Sequence, residues 1–160
     1  MTQIEQLIAA LSQNQVAFVL IGGLAANARG SAQLTYDVDV CYQRTPDNIQ
    51  RLCTALEPLH PYLRGAPLGL PFRFDPQTVA TGLNFTLVTD LGDLDLLGEV
   101  SGLGKFDQVV ASAEKMELFG FAVWVLSLEG LIRSKKAAGR PKDLQALPEL
   151  EALLALGKQK

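Results

Sequence analysis

The stretch FVLIGGLAANARGSAQLTYDVDV, Phe18 to Val40, decides how this chain is read. Four apolar residues, two glycines, a run of helix formers and then alternating acidic and β-branched residues describe a strand, a turn, a short helix and a second strand. Residues two apart in a strand share a face, so Asp37 and Asp39 project together while Val38 and Val40 point into a core. Two adjacent anions repel. The pair persists if water solvates it, as on many surface strands, or if a hard cation such as magnesium lies between the carboxylates. Gly22 and Gly23 stand at the strand-to-helix junction, where free N–H groups and the helix dipole suit phosphate and a missing side chain allows close approach. A tight turn with unusual dihedrals is the plainer reading of the same pair. The stretch lacks the third glycine of a dinucleotide fingerprint and the Gly-Lys-Ser/Thr of a P-loop. It is not a calcium-binding EF-hand either, because counting from Asp37 puts Tyr42 where the turn glycine belongs and Asn48 where the glutamate belongs.

Outward from this stretch, the chain has 160 residues, a net charge of −3 and an apolar fraction of 48%, which suits one soluble domain with a small appendage. A pI near 5.1 argues against a broad basic surface for nucleic acid. No apolar run approaches the roughly 20 residues of a membrane span, and the start MTQIEQLIAAL has no basic leader, so a cytoplasmic location away from membranes is expected. Cys41 and Cys53 lack metal-site spacing and read as reduced thiols. His60, the single histidine, precedes a proline at a helix end and reads as a surface residue, which leaves no Ser-His-Asp or Cys-His mechanism.

The periodicity predicts a helix over 2–13, a strand over 17–21, a short helix closed by Gly30, and a strand over 36–42. Thr45 and Pro46 open a helix to Leu56. The proline- and glycine-rich segment to about Gln77 reads as one long loop, and such loops are more often functional than idle. Strands follow over 83–89 and 93–100, then a helix over 105–113 and a hairpin, MELFGFAVWVL, turning at Gly120 with Trp124 in its core. Ser127 caps a final helical pair joined at Gly139 to Pro141.

An apolar strand, a glycine pair, a short helix and then Thr-x-Asp-x-Asp resembles the nucleotidyltransferase superfamily that includes DNA polymerase beta, at Gly22, Gly23, Thr35, Asp37 and Asp39. LGDLDLLGEVSG and SKKAAGRPKDLQAL extend the similarity to the bacterial branch with the AbiEii and MenT toxins. The departure is Gln33, which stands where relatives often carry an arginine. The resemblance implies an α/β nucleotidyltransferase fold, a small mixed sheet flanked by helices, with a core over 1–126 and a helical extension over 127–160 packed on it. It also implies that Asp37, Asp39 and a third acid are catalytic and hold two magnesium ions. Asp95, flanked by Leu94 and Leu96 inside a strand, is the chosen third acid; Asp93, beside Gly92, is the alternative, with a solvated turn residue as its plainer reading.

Gly22, Gly23, Thr35, Lys135 and Arg140 would bind the nucleotide, with Asp143 fixing the last two helices. The bland account of Arg133, Lys135, Lys136, Arg140 and Lys142 is cation interaction with a helix C-terminus. Arg64 and Arg73, in the long loop, are candidates for the acceptor or plain surface charge. The implied activity moves a nucleoside monophosphate from a nucleoside triphosphate to a hydroxyl, with an RNA 3′ end as one acceptor and an antitoxin protein as one partner. A protein hydroxyl and a small molecule such as an aminoglycoside remain open as acceptors. The alternative function is a non-catalytic nucleotide- or partner-binding module.

Overall fold

A computed structural model of the chain describes residues 2–158. The chain runs α1 (Ile4–Gln13), β1 (Phe18–Ile21), α2 (Gly22–Ala28), β2 (Asp37–Tyr42), α3 (Pro46–Leu56), β3 (Tyr62–Leu63), α4 (Pro76–Thr81), β4 (Phe85–Thr89) and β5 (Gly92–Leu97). It continues through β6 (Glu99–Val100), β7 (Gly104–Lys105), α5 (Phe106–Ala111), β8 (Ala113–Leu118), β9 (Phe121–Leu126), α6 (Leu128–Ala138) and α7 (Pro141–Lys158). Seven strands form one mixed sheet in the order β3-β4-β5-β2-β1-β9-β8, while β6 and β7 pair separately. β2 lies antiparallel to β1 and parallel to β5, so the centre of the sheet joins the two acid-bearing strands side by side.

The alternation read in the sequence is what the strands use. Val38, Val40, Leu94 and Leu96 are fully buried, whereas the aspartates between them are only partly covered. Burying each such aliphatic side chain is worth about 2 kcal/mol, so the core fixes which way the intervening carboxylates point. Leu7, Ile8 and Leu11 of α1 and Ile49, Leu52 and Leu56 of α3 join the same cluster, and Leu131, Ile132 and Leu150 bring α6 and α7 into it. No helix among the described residues is long and apolar enough to cross a membrane.

Three elements differ from the sequence expectation. The segment expected as one loop to Gln77 holds β3 and ends in α4, which Asp75 caps by accepting from the Thr78 amide, with Pro76 in the first turn. That is the same signal as Thr45 and Pro46 of α3, in a helix too short to show periodicity. The strand expected over 93–100 breaks at Gly98, whose N–H is taken by the Asn84 side chain instead of a neighbouring strand. The hairpin begins earlier, at Ala113, because the charged residues of β8 sit on an edge strand, where they need no cover. Cys41 and Cys53 are buried free thiols, pushed up to about 12 and about 11 by burial.

One buried amide ties the sheet to α3. Asn48, fully buried, accepts from the Ala17 N–H at 2.6 Å and donates to the carbonyls of Ala17 at 3.0 Å and Gln43 at 2.7 Å. It thereby closes the backbone at the start of β1 and the end of β2. Asn48→Ala should lower the free energy of unfolding by about 3 kcal/mol, because buried backbone groups would lose their partners. Urea unfolding followed by circular dichroism checks this, with an unchanged slope expected; a loss below about 1 kcal/mol would mean that water reaches the site.

Candidate active site

The parallel register of β2 and β5 sets Asp37 opposite Asp93 and Asp39 opposite Asp95. All four carboxylates therefore leave the sheet on one side. One oxygen from each of Asp37, Asp39 and Asp95 lies within 4.8 Å of the others. Asp93 stands at the rim, its side chain 40% exposed against 22% for Asp95.

The close approach has an electrostatic consequence. Burial, a shared hydrogen bond with Asp95 and the charges of Asp37 and Asp95 push Asp39 up to about 8, and Lys135 opposes the rise. Burial and Asp95 raise Asp37 too, against the pull of Arg64. The trio thus offers three hard oxygen donors and more negative charge than the site tolerates unaided, which fits a divalent cation such as magnesium.

The glycine pair has a steric task here. Gly22 sits at φ +66° with the Asp39 carboxylate against its Cα, so that a Cβ would meet Oδ2 at 2.2 Å. A Cβ on Gly23 would meet Thr35 Oγ1 at 2.9 Å, and that hydroxyl donates to the Asp37 carbonyl at 3.2 Å. The two glycines therefore let β2 and its preceding loop close over the start of α2. Gln33 has its carbonyl held by Asn27, and Ser31 and Ala32 are held by Glu149 of α7, which fixes the loop from the far side.

Opposite the acids, the turn between α6 and α7 is built around Asp143. Its side chain is 1% exposed and accepts from Arg140 Nε at 2.7 Å and Lys135 Nζ at 3.4 Å. Burial works to raise this carboxyl, and the bonds and charges from Arg140 and Lys135 outweigh it, holding it below the usual carboxylate range. Gly139, in the left-handed conformation at φ +64°, ends α6 so that the two helices can meet there. A cleft of about 350 Å³ runs between the acids and this turn, lined by Gly22, Asp37, Asp39, Asp95, Lys135 and Arg140 among others.

The same backbone arrangement occurs in solved nucleotidyltransferases. A candidate nucleotidyltransferase from Thermotoga maritima matches with a TM-score of 0.51 at 14% identity, over 100% of this chain and 97% of that one. ANT(2'')-Ia, solved with adenylyl-2''-tobramycin, matches with a TM-score of 0.57 at 15% identity, over 98% of this chain and 95% of its own. The solution structure of that antibiotic-resistance factor gives 0.54 at 16% identity, over 98% and 89%. The chain has the nucleotidyltransferase fold. No protein-family model and no curated protein matches its sequence.

Within this nucleotidyltransferase fold, the structure brings Gly22, Asp37, Asp39, Asp95, Lys135 and Arg140 to one cleft, with Gly23 and Thr35 packed on each other beside it. It separates the two loop arginines. Arg64 Nη2 lies 2.7 Å from Asp95 and Nε 3.4 Å from Asp93, whereas Arg73 lines a second cleft with Phe72, Phe74 and Glu57 that shares no residue with the first. Sequence reading missed Asn84, Thr86, Ser101 and Ser134, which also line the cleft beside the acids. Thr86 was within reach of pattern reading, since it alternates with buried Phe85 and Leu87, but its place opposite Asp95 depends on strand register. His60 is exposed and pairs with Asp90 at 2.6 Å.

The raised Asp39 fixes the sign of a pH effect. The folded protein holds a proton up to about pH 8 that an unfolded aspartate releases near 4, so this group's stabilisation is full below about pH 4 and fades as pH rises towards 8. The melting temperature of chelator-treated protein should fall across that window, and Asp39→Asn should remove most of the fall. Manganese affinity, read by calorimetry, should rise over the same window, because the proton must leave before the metal binds. A flat profile for both proteins would show that Asp39 ionises normally.

Proposed function

We propose that the protein is a metal-dependent nucleotidyltransferase that moves a nucleoside monophosphate from a nucleoside triphosphate to a hydroxyl, releasing pyrophosphate. The observation that carries this reading is the trio Asp37, Asp39 and Asp95, converging within 4.8 Å on adjacent strands and facing Lys135 across a cleft. Two magnesium ions held by these carboxylates would supply the positive charge that neutralises the triphosphate and lowers the pKa of the acceptor hydroxyl.

The chain's own residues do the rest. Lys135 contributes a point charge to the triphosphate, and Asp143 orients it. Arg140 gives Nε and Nη2 to Asp143, which leaves Nη1 for a phosphate oxygen. Gly22 and Gly23 let the triphosphate approach the backbone beside Thr35. Asp95 orients the acceptor hydroxyl and accepts its proton. The acceptor oxygen then attacks the α-phosphorus in line, one bond forming to phosphorus as the bond to the pyrophosphate oxygen breaks. Because the acids sit on core strands, the reacting groups need little reorganisation.

An RNA 3′ end is the acceptor we favour, with an antitoxin protein as the controlling partner, on the strength of the resemblance to the AbiEii and MenT toxins. The structural likeness to ANT(2'')-Ia, whose complex holds adenylyl-2''-tobramycin, favours a second acceptor class, an aminoglycoside hydroxyl.

Incubation with triphosphates labelled at the α-phosphate, magnesium and total RNA should transfer label to RNA. Asp39→Asn should reduce transfer more than about a hundredfold, as loss of several kcal/mol of charge stabilisation requires. Lys135→Ala should raise the KM for triphosphate about tenfold while the protein stays folded. Label on aminoglycoside alone would reassign the acceptor, and label on nothing would favour the non-catalytic module.

A further inference from the structure

The Arg64 guanidinium, one residue beyond β3, lies against Asp93 and Asp95. Nη2 bridges the Asp95 carboxylate and the Leu87 carbonyl, each at 2.7 Å, and Nε is buried with no hydrogen-bond partner among the described residues, 3.4 Å from Asp93 Oδ2. An arginine that stabilised the fold would be expected to satisfy its buried nitrogens, because an unpaired buried donor is costly. Arg64 instead accepts a poor geometry to put its charge on Asp95. It also begins the segment 64–75, which lacks regular secondary structure and holds Gly65 and Gly69 at positive φ in open space. The backbone N–H of Arg64 is held by the Thr86 carbonyl at 3.0 Å, so any departure from Asp95 is a rotation of the side chain.

From this geometry, and resting on the metal-dependent reading above, we propose that Arg64 is an internal counter-cation that competes with the metal for Asp95. Arg64 holds Oδ1 of Asp95, and a divalent ion on the same carboxylate would stand at short range from the guanidinium, so the two cations oppose each other there. At Asp37 and Asp39 the opposition is weaker: the charge of Arg64 reaches Asp37, but no salt bridge touches either residue among the described residues. Asp37 and Asp39 would therefore hold a first ion with Arg64 in place. Asp95 would take a second ion less readily while Arg64 holds its Oδ1, so the acids would fill in order, Asp37 and Asp39 before Asp95. In the metal-free protein Arg64 thereby offsets the charge at Asp95 and Asp93.

The test is manganese binding to nucleotide-free protein at pH 8, followed by electron paramagnetic resonance and calorimetry. The wild type should bind one ion more tightly than a second. Arg64→Gln, a shorter polar side chain without the charge, should tighten the second ion about ten- to a hundredfold, the equivalent of one charge-assisted hydrogen bond, and leave the first little changed. Arg64→Lys, which keeps the charge without the fork, should fall between them, and circular dichroism melts identify any variant that does not fold. Equal or weaker binding of the second ion by a folded Arg64→Gln protein would overturn the proposal and leave the metal-dependent reading intact. No manganese binding by either protein would overturn both.

Discussion

Mutual repulsion among three carboxylates on neighbouring strands is the constraint around which the rest of this molecule is arranged. Such a cluster is unfavourable unless something holds it, and packing supplies the hold. Val38, Val40, Leu94 and Leu96 alternate with the acids and are fully buried, so turning any carboxylate away would bring an aliphatic side chain into water. A one-residue slip of β2 against β5 would exchange the two sets, which is why the register is strongly determined. The charge left over is managed in three ways: by the proton that Asp39 holds to about pH 8, by Arg64, and by Lys135 across the cleft.

The remaining structure follows from giving those acids room and a facing wall. Gly22 has no side chain because the Asp39 carboxylate occupies that space, and Gly23 has none because Thr35 does. The space beside each glycine is thus filled by a residue of β2 or of the loop before it, which seats that segment on the start of α2. On the facing wall, a single buried carboxylate, Asp143, gathers Lys135 and Arg140 at the turn between α6 and α7. A buried, doubly paired carboxylate is a costly way to join two helices, and it is understandable where the positions of two cations matter more than stability.

Much of the fold was legible because the signals were local. Thr45 before Pro46, the valines alternating with Asp37 and Asp39, the helical spacing of Leu7, Ile8 and Leu11, and Gly139 after α6 each act within a few residues. Helix α4 was missed although Asp75 and Pro76 announced it, since six residues are too few for periodicity to show. The break at Gly98 was missed for a different reason: the side chain that takes its N–H belongs to Asn84, the residue just before the neighbouring strand β4, and nothing in the segment itself reveals it.

The sequence by itself determined that two aspartates share one face of a strand, that glycines precede them, and that cations cluster near the C-terminus, because these follow from the period of a strand and from order along the chain. It left open which acid joins Asp37 and Asp39, since Asp93 and Asp95 share a face and differ only in place. Tertiary structure decided that Asp95 completes the trio, through the parallel register of β2 and β5. It also decided that Arg64 and Arg73 part company, one on the acids and the other at a separate cleft. Strand order and register are set by how distant segments pack, and no local rule reads them from the residues involved.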